Sequence, residues 1–144
     1  MSKSFQVTFD AVDPAVLAVF WARALGYVVE PPPKGFSSWD DFADEQGIPP
    51  ENRNDLAAVV DPMGQGPRLL FQKVPEEKTA KNRVHLDVNA GGGPTNEPGE
   101  RHQRVEEHVA DLVKAGAIRL ETFDRRNEFW VVMQDPEGNE FCVQ

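Results

Sequence analysis

The side chains able to do chemistry in this chain gather on segments that alternate like β-strands. Arg83-Val84-His85-Leu86-Asp87-Val88 sets Val84, Leu86 and Val88 against Arg83, His85 and Asp87. The final segment sets Phe141 and Val143 against Glu140, Cys142 and Gln144. Two further segments do the same, with Gln6, Thr8 and Asp10 opposing Phe5, Val7 and Phe9, and with Arg68, Leu70 and Gln72 opposing Leu69 and Phe71. A period of two puts each set on its own face of a sheet. If the apolar faces pack on helices, the polar sets share a concave side. Burying such groups without partners costs on the order of 1–3 kcal/mol each, so a polar concave face signals a site.

Histidine suits a metal ligand or a general base, which makes His85 the natural centre of that face. The plainer reading is a histidine hydrogen-bonded to Asp87 or Gln72. Cys142 is either a nucleophile, with His85 as the one candidate to activate it, or an inert half-buried thiol. Arg68 either neutralises an anionic ligand or stands as a surface arginine.

The elements that must position these residues occur twice in the same order. After the first strand, Asp13 suits an N-cap, Pro14 the first helical position and Gly26 a C-cap. Leu17, Phe20, Trp21 and Ala24 give that helix one apolar face. A second helix from about Glu100 to Ala115 carries Val105, Val109, Leu112 and Val113 ahead of Gly116, with His102 and His108 read as solvated. Asp61-Pro62 and Asp135-Pro136-Glu137-Gly138-Asn139 read as turns. The pattern is therefore α+β: two βαβββ modules, about 4–75 and 82–144, with a cleft between the repeats. An insertion at about 31–55 interrupts module one, with a short helix around Ser38 to Gln46. In it, Trp39 and Phe42 either line a pocket or pin the loop. Trp130 reads as core or interface. Residues 90–99 form a Gly- and Pro-rich loop, and 75–82 a surface linker.

The chain has 144 residues and a formal net charge of −9, enough length for one shared core and the wrong sign for binding nucleic acid or anionic lipid. No segment resembles a transmembrane span or signal peptide. A single cysteine permits no intrachain disulfide, which points to a cytoplasmic protein.

The repeat, with Gln6-Val7-Thr8-Phe9-Asp10-Ala11-Val12-Asp13-Pro14, Phe20-Trp21 before Leu25-Gly26-Tyr27, Val84-His85-Leu86-Asp87-Val88 and Asp135-Pro136-Glu137-Gly138-Asn139, resembles the vicinal oxygen chelate superfamily. That superfamily includes glyoxalase I, bleomycin-resistance proteins and extradiol dioxygenases, and the nearest likeness is to its small glyoxalase-like domains. The resemblance covers nearly the whole chain outside the insertion and implies a single domain, 1–144, whose modules pair into an incomplete barrel-like sheet around a central cleft. It also implies a divalent metal (Zn, Ni, Mn or Fe) held from the first and last strand of each module. Those positions fall on Gln6, Gln72, His85 and Cys142, with Glu140 two residues before the last. The family usually ends in a glutamate where this chain has Cys142, and amide oxygens such as those of Gln6 and Gln72 bring no charge.

These expectations allow more than one function. The first is a small-molecule binding protein without a strong metal site, its ligand meeting Gln6, Thr8, Asp10, Trp39, Arg68, Gln72, His85, Asp87, Glu140 and Cys142. The second is a metal-dependent lyase, isomerase or dioxygenase acting on vicinal oxygens. The third is a dimeric interaction module with a vestigial cleft. Homodimerisation is implied by the resemblance, since many relatives build the cleft from modules of two chains.

Overall fold

The computed structural model describes residues 1–93, 95–126 and 128–144. The fold is α+β, built of two βαβββ modules, each with a four-stranded sheet. By contacts the chain divides into two compact units, Met1–Glu77 and Lys78–Gln144. Unit one runs β1 (Val7–Ala11), α1 (Pro14–Leu25), β2 (Val28–Val29), α2 (Trp39–Glu45), β3 (Leu56–Val60) and β4 (Leu69–Lys73). Unit two runs β5 (Asp87–Val88), α3 (Pro98–Lys114), β6 (Ile118–Arg125), β7 (Glu128–Gln134) and β8 (Glu140–Val143). The strand orders, β1-β4-β3-β2 and β5-β8-β7-β6, are the same topology used twice. In each sheet the first strand lies parallel to the fourth, and the remaining pairs are antiparallel.

Helix α1 starts and stops where its end residues require. The Asp13 carboxylate accepts from the Val16 amide at 3.3 Å, satisfying a donor that the first turn leaves free. Gly26 closes the helix at φ 68°, a conformation that glycine adopts without a Cβ penalty. Leu17, Phe20, Trp21 and Ala24 are all buried, as their spacing predicts. Trp21 meets Phe9 at 5.3 Å between ring centroids, and Phe9 meets Phe71 at 5.2 Å. In unit two, Val105, Val109 and Leu112 of α3 are buried, as are Val131, Met133, Phe141 and Val143 of the sheet. Burying side chains of this size stabilises by roughly 1.5–3 kcal/mol each. The two sides that face the cores are the ones alternation assigns to them.

Several sequence expectations need correction. Helix α3 begins at Pro98, and Val113 is 46% exposed, because it follows Leu112 by about 100° around the helix and leaves the buried stripe. The fifth strand is only Asp87–Val88, and Val84 is 78% exposed. The ladder stops there for an identifiable reason. Cys142 N donates to Leu86 O at 3.0 Å, but the next free amide, Glu140 N, donates instead to the Asn82 side chain at 3.1 Å. Phe5 likewise lies outside β1 and is exposed. His102 and His108 are half-buried rather than solvated, and the His102 ring stacks on Phe129 with centroids 3.7 Å apart. Trp130 is half-buried and stacks on Phe123 at 4.8 Å, while its neighbours Val131 and Met133 take the core side.

The turn readings agree with the structure. Buried Asp135 accepts from Glu137 N, Asn139 N and Asn139 Nδ2, and Asp61 accepts from Met63, Gln65 and Gly66 amides. The predicted loop at 90–99 includes Pro94, which lies outside the described residues.

Candidate functional site

The polar face of the unit-two sheet gathers the residues best equipped for chemistry. Parallel pairing of β5 with β8 sets Asp87 directly opposite Cys142. The Cys142 thiol donates to the Asp87 carboxylate, and His85 Nε2 lies 3.4 Å from Asp87 Oδ1. The donor atoms of His85, Asp87 and Cys142 all lie within 4.8 Å of one another. Asp87 is therefore the hub, touching both the imidazole and the thiol. Glu140, two residues before Cys142 on the same face, is ion-paired with Lys81. The β7–β8 register is regular there, with Gln134 opposite Glu140 and Val132 opposite Cys142.

Charge follows from this packing. Burial pushes the Cys142 thiol above its usual range, and the carboxylates of Asp87 and Glu140 push it the same way, so the thiol is the stable form near neutral pH. The Lys81 ammonium holds the Glu140 carboxyl below the usual carboxylate range, with smaller help from Lys78 and His85.

In unit one, the corresponding face is hydrogen-bonded to itself. β1 pairs with β4 so that Asp10 stands opposite Gln72, and Gln72 Nε2 donates to Asp10 Oδ1 at 2.8 Å. Gln6 Oε1 accepts from Arg68 Nη1 at 2.8 Å, and Gln6 Nε2 reaches Thr8 Oγ1 at 3.3 Å. The Arg68 guanidinium forks onto both carboxylate oxygens of Glu30, at 2.9 and 2.6 Å, so its charge is already matched. Trp39 donates its indole N–H to Glu30 O at 2.7 Å and meets Phe42 edge-on, tying the insertion down. Beside this face an open depression of about 490 Å³ is lined by Asp55, Leu56, Gln72, Lys73, Val74 and Pro75.

Sequence parity placed Asp87 on the polar face without recognising it as a metal donor. It missed Glu30, Lys81 and Asn82 altogether. The signal for Asp87 was present, since it follows His85 by two residues on one strand. No local signal marks Glu30, because its partner Arg68 lies 38 residues away.

The glyoxalase-like domain family matches residues 6–144, and the chain belongs to that family. A hypothetical protein, SA1046, from S. aureus shares the fold at TM-score 0.59 and 16% identity, covering 99% of this chain and 96% of that one. A glyoxalase/bleomycin resistance protein/dioxygenase family enzyme from Burkholderia phytofirmans PsJN gives TM-score 0.60 at 14% identity, covering 96% and 94%. The fosfomycin resistance protein FosX from Listeria monocytogenes, in complex with Mn(II), gives 0.61 at 10%, covering 100% and 90%. At such identities the likeness is one of fold. No curated protein is similar in sequence at a significant level.

The donor chemistry tests whether an ion such as the Mn(II) bound by FosX fits this chain. Mn(II) favours charged oxygen ligands. Of the four implied positions, Gln6 and Gln72 are neutral amides, the Gln6 oxygen already accepting from Arg68 and the Gln72 nitrogen donating to Asp10, and Cys142 is a thiol. That set is poor for a hard ion. The compact group His85, Asp87 and Cys142 instead mixes nitrogen, oxygen and sulfur donors, as zinc sites do.

Proposed function

We propose that this chain is a small-molecule binding protein of the glyoxalase/bleomycin-resistance type, without a strong metal site. The observation that carries the reading is the state of the four implied positions. Gln6 and Gln72 are held in hydrogen bonds within unit one, and Cys142 replaces a carboxylate with a buried, protonated thiol. Each unit keeps fixed donors and acceptors suited to a polar ligand on its own sheet: Thr8 and Asp10 in unit one, and His85, Asp87 and Glu140 in unit two. Trp39 at the insertion supplies a half-exposed aromatic face.

The same reading makes the protein a cytoplasmic homodimer. In support, its one cysteine is a buried thiol, and Ile118 and Leu120 are exposed on β6. No helix among the described residues is long and apolar enough to cross a membrane.

A second reading, a metal-dependent lyase, isomerase or dioxygenase acting on vicinal oxygens, is favoured by the convergence of His85, Asp87 and Cys142. The two separate in a ligand screen on chelator-treated protein followed by amide chemical shifts. The binding reading expects a ligand that shifts Asp87 and its neighbours on β5 and β8 without metal, with binding lost in His85→Ala. Binding that appears only after metal is restored would favour the enzyme, and shifts confined to the helices would overturn both.

A further inference from the structure

The registers of unit two lay out the sheet face opposite its core as rows. Asp87, Cys142, Val132 and Glu121 stand level across β5, β8, β7 and β6. In the next row Trp130 of β7 stands level with Phe123 of β6. Gln144, one step past the Val131–Val143 pair, comes level with Trp130 on its other side. Its Nε2 donates to Asn89 Oδ1 at 3.0 Å, which draws the side chain toward β5 and away from the indole.

The repeat shows that this aromatic pair is particular to unit two. Gln72 is the counterpart of Cys142, since each faces an aspartate of its parallel neighbour, so Leu56 answers to Val132 and Asn54 to Trp130. Asn54 serves the start of α1 instead, and β2, the counterpart of β6, is only two residues long. The core of unit two does not require the pair either, because Val131 and Met133 fill that side of β7.

The stack has one usable end. The Phe123 and Trp130 rings lie 4.8 Å apart at 11°, and the Arg125 guanidinium sits over the Phe123 ring, 5.2 Å from its centroid. A cation thus closes the β6 end, and the other face of the half-buried indole looks toward β8. Indole is the side chain on which a cationic or planar group stacks best. One row along, the same face carries the carboxylates of Asp87, half exposed, and Glu121, exposed. The local field is negative, since Asp87 and Glu140 add to burial in pushing the Cys142 thiol up, and the chain as a whole carries −9.

We propose that this ledge binds a planar aromatic cation of the arylalkylamine class, its ring stacked on Trp130 and its ammonium group at Asp87. Two strand spacings and one two-residue step put Trp130 and Asp87 about 12 Å apart along the backbone grid. A ring on the indole lies above β8 and covers the first half of that span, and a short alkyl arm carries the charge over the rest. An anionic ring meets the same indole but is repelled by Asp87 and Glu121. The inference rests on the small-molecule reading and names the class of ligand.

Calorimetric titration of the chelator-treated full chain with tryptamine and with indole-3-acetate tests it, because the two probes share a ring and differ in the sign of their charge. Tryptamine should bind about tenfold more tightly or better. Trp130→Leu should weaken tryptamine about tenfold. Asp87→Asn should remove most of the preference between the probes, with folding of both variants checked by circular dichroism. In the unaltered chain tryptamine should shift the Trp130 indole N–H and Gln144 side-chain amide signals, a readout that needs no variant to fold. Equal binding of the two probes, tighter binding of indole-3-acetate, shifts that spare Trp130 and Gln144, or no tryptamine binding at millimolar concentration each overturns the proposal. A ligand from the screen that shifts β5 and β8 would then leave the small-molecule reading standing, so the two ideas fail separately.

Discussion

Asp13 anchors a small network at the start of α1: it caps the Val16 amide, and it accepts from Asn54, whose own side-chain oxygen accepts from Ala15. The Asn54 amide, with the Val16 N–H, holds the Asp13 carboxyl below its usual range. Asp13→Ala should therefore lose about 1 kcal/mol or more by urea denaturation, with Asp13→Asn recovering part of it. Individual residues were legible where a single chain position fixes their role. Asp13, Gly26, Asp61 and Asp135 do in the structure what their types and neighbours predict. Arg68 was not legible in this way, because its place is decided by Glu30 and Gln6, both distant in sequence. The polar-face parity of His85, Asp87 and Cys142 was readable. That Asp87 links the other two follows from the register of β5 on β8, which no local pattern encodes.

Among the elements, helices were easier to read than strands. A helix satisfies its backbone within one segment, so α1 could be bounded from its own residues, and α3 differs at its start by only two. A strand ends where its partner's hydrogen bonds end. Hence Val84 alternates correctly yet lies outside β5, since Asn82 takes the amide that would have continued the ladder. The junction between α3 and β6 supports a test at this scale. Gly116 has φ 111°, and a Cβ there would lie 3.3 Å from Pro136 Cγ. Gly116→Ala should cost about 1–3 kcal/mol through backbone strain. Gly99→Ala, in the first turn of the same α3 with open space around it, should be neutral or stabilising. Chemical denaturation of the pair distinguishes a conformational requirement from a general intolerance of substitution.

For the whole molecule, the repeat was the most legible feature, because two runs of the same order demand the same topology, and both sheets have it. Its charge balance predicts an acid response. Hydrogen bonds hold Asp13, Asp61 and Glu106 below their ordinary values, from Asn54, the Met63 amide and Arg119 respectively. The unfolded chain then binds these protons at higher pH than the folded one. Stability is full above the ordinary carboxylate range and falls as pH drops below about 4. Urea midpoints measured across that range should decline, and a flat profile would show that these contacts contribute little.

The insertion is fastened on both sides: Trp39 to the Glu30 carbonyl after β2, and Asn54 to the start of α1 before β3. Between them Arg53 ties back to Asp40, Asp44 and the Ile48 carbonyl. A segment sutured at its rims can be rewritten in its middle without disturbing either sheet, since closing a somewhat longer loop adds little entropic cost. Descendants of this chain are thus free to lengthen, shorten or recompose those residues while the scaffold is inherited intact, and a laboratory lineage selected for a new ligand should accumulate its changes there first.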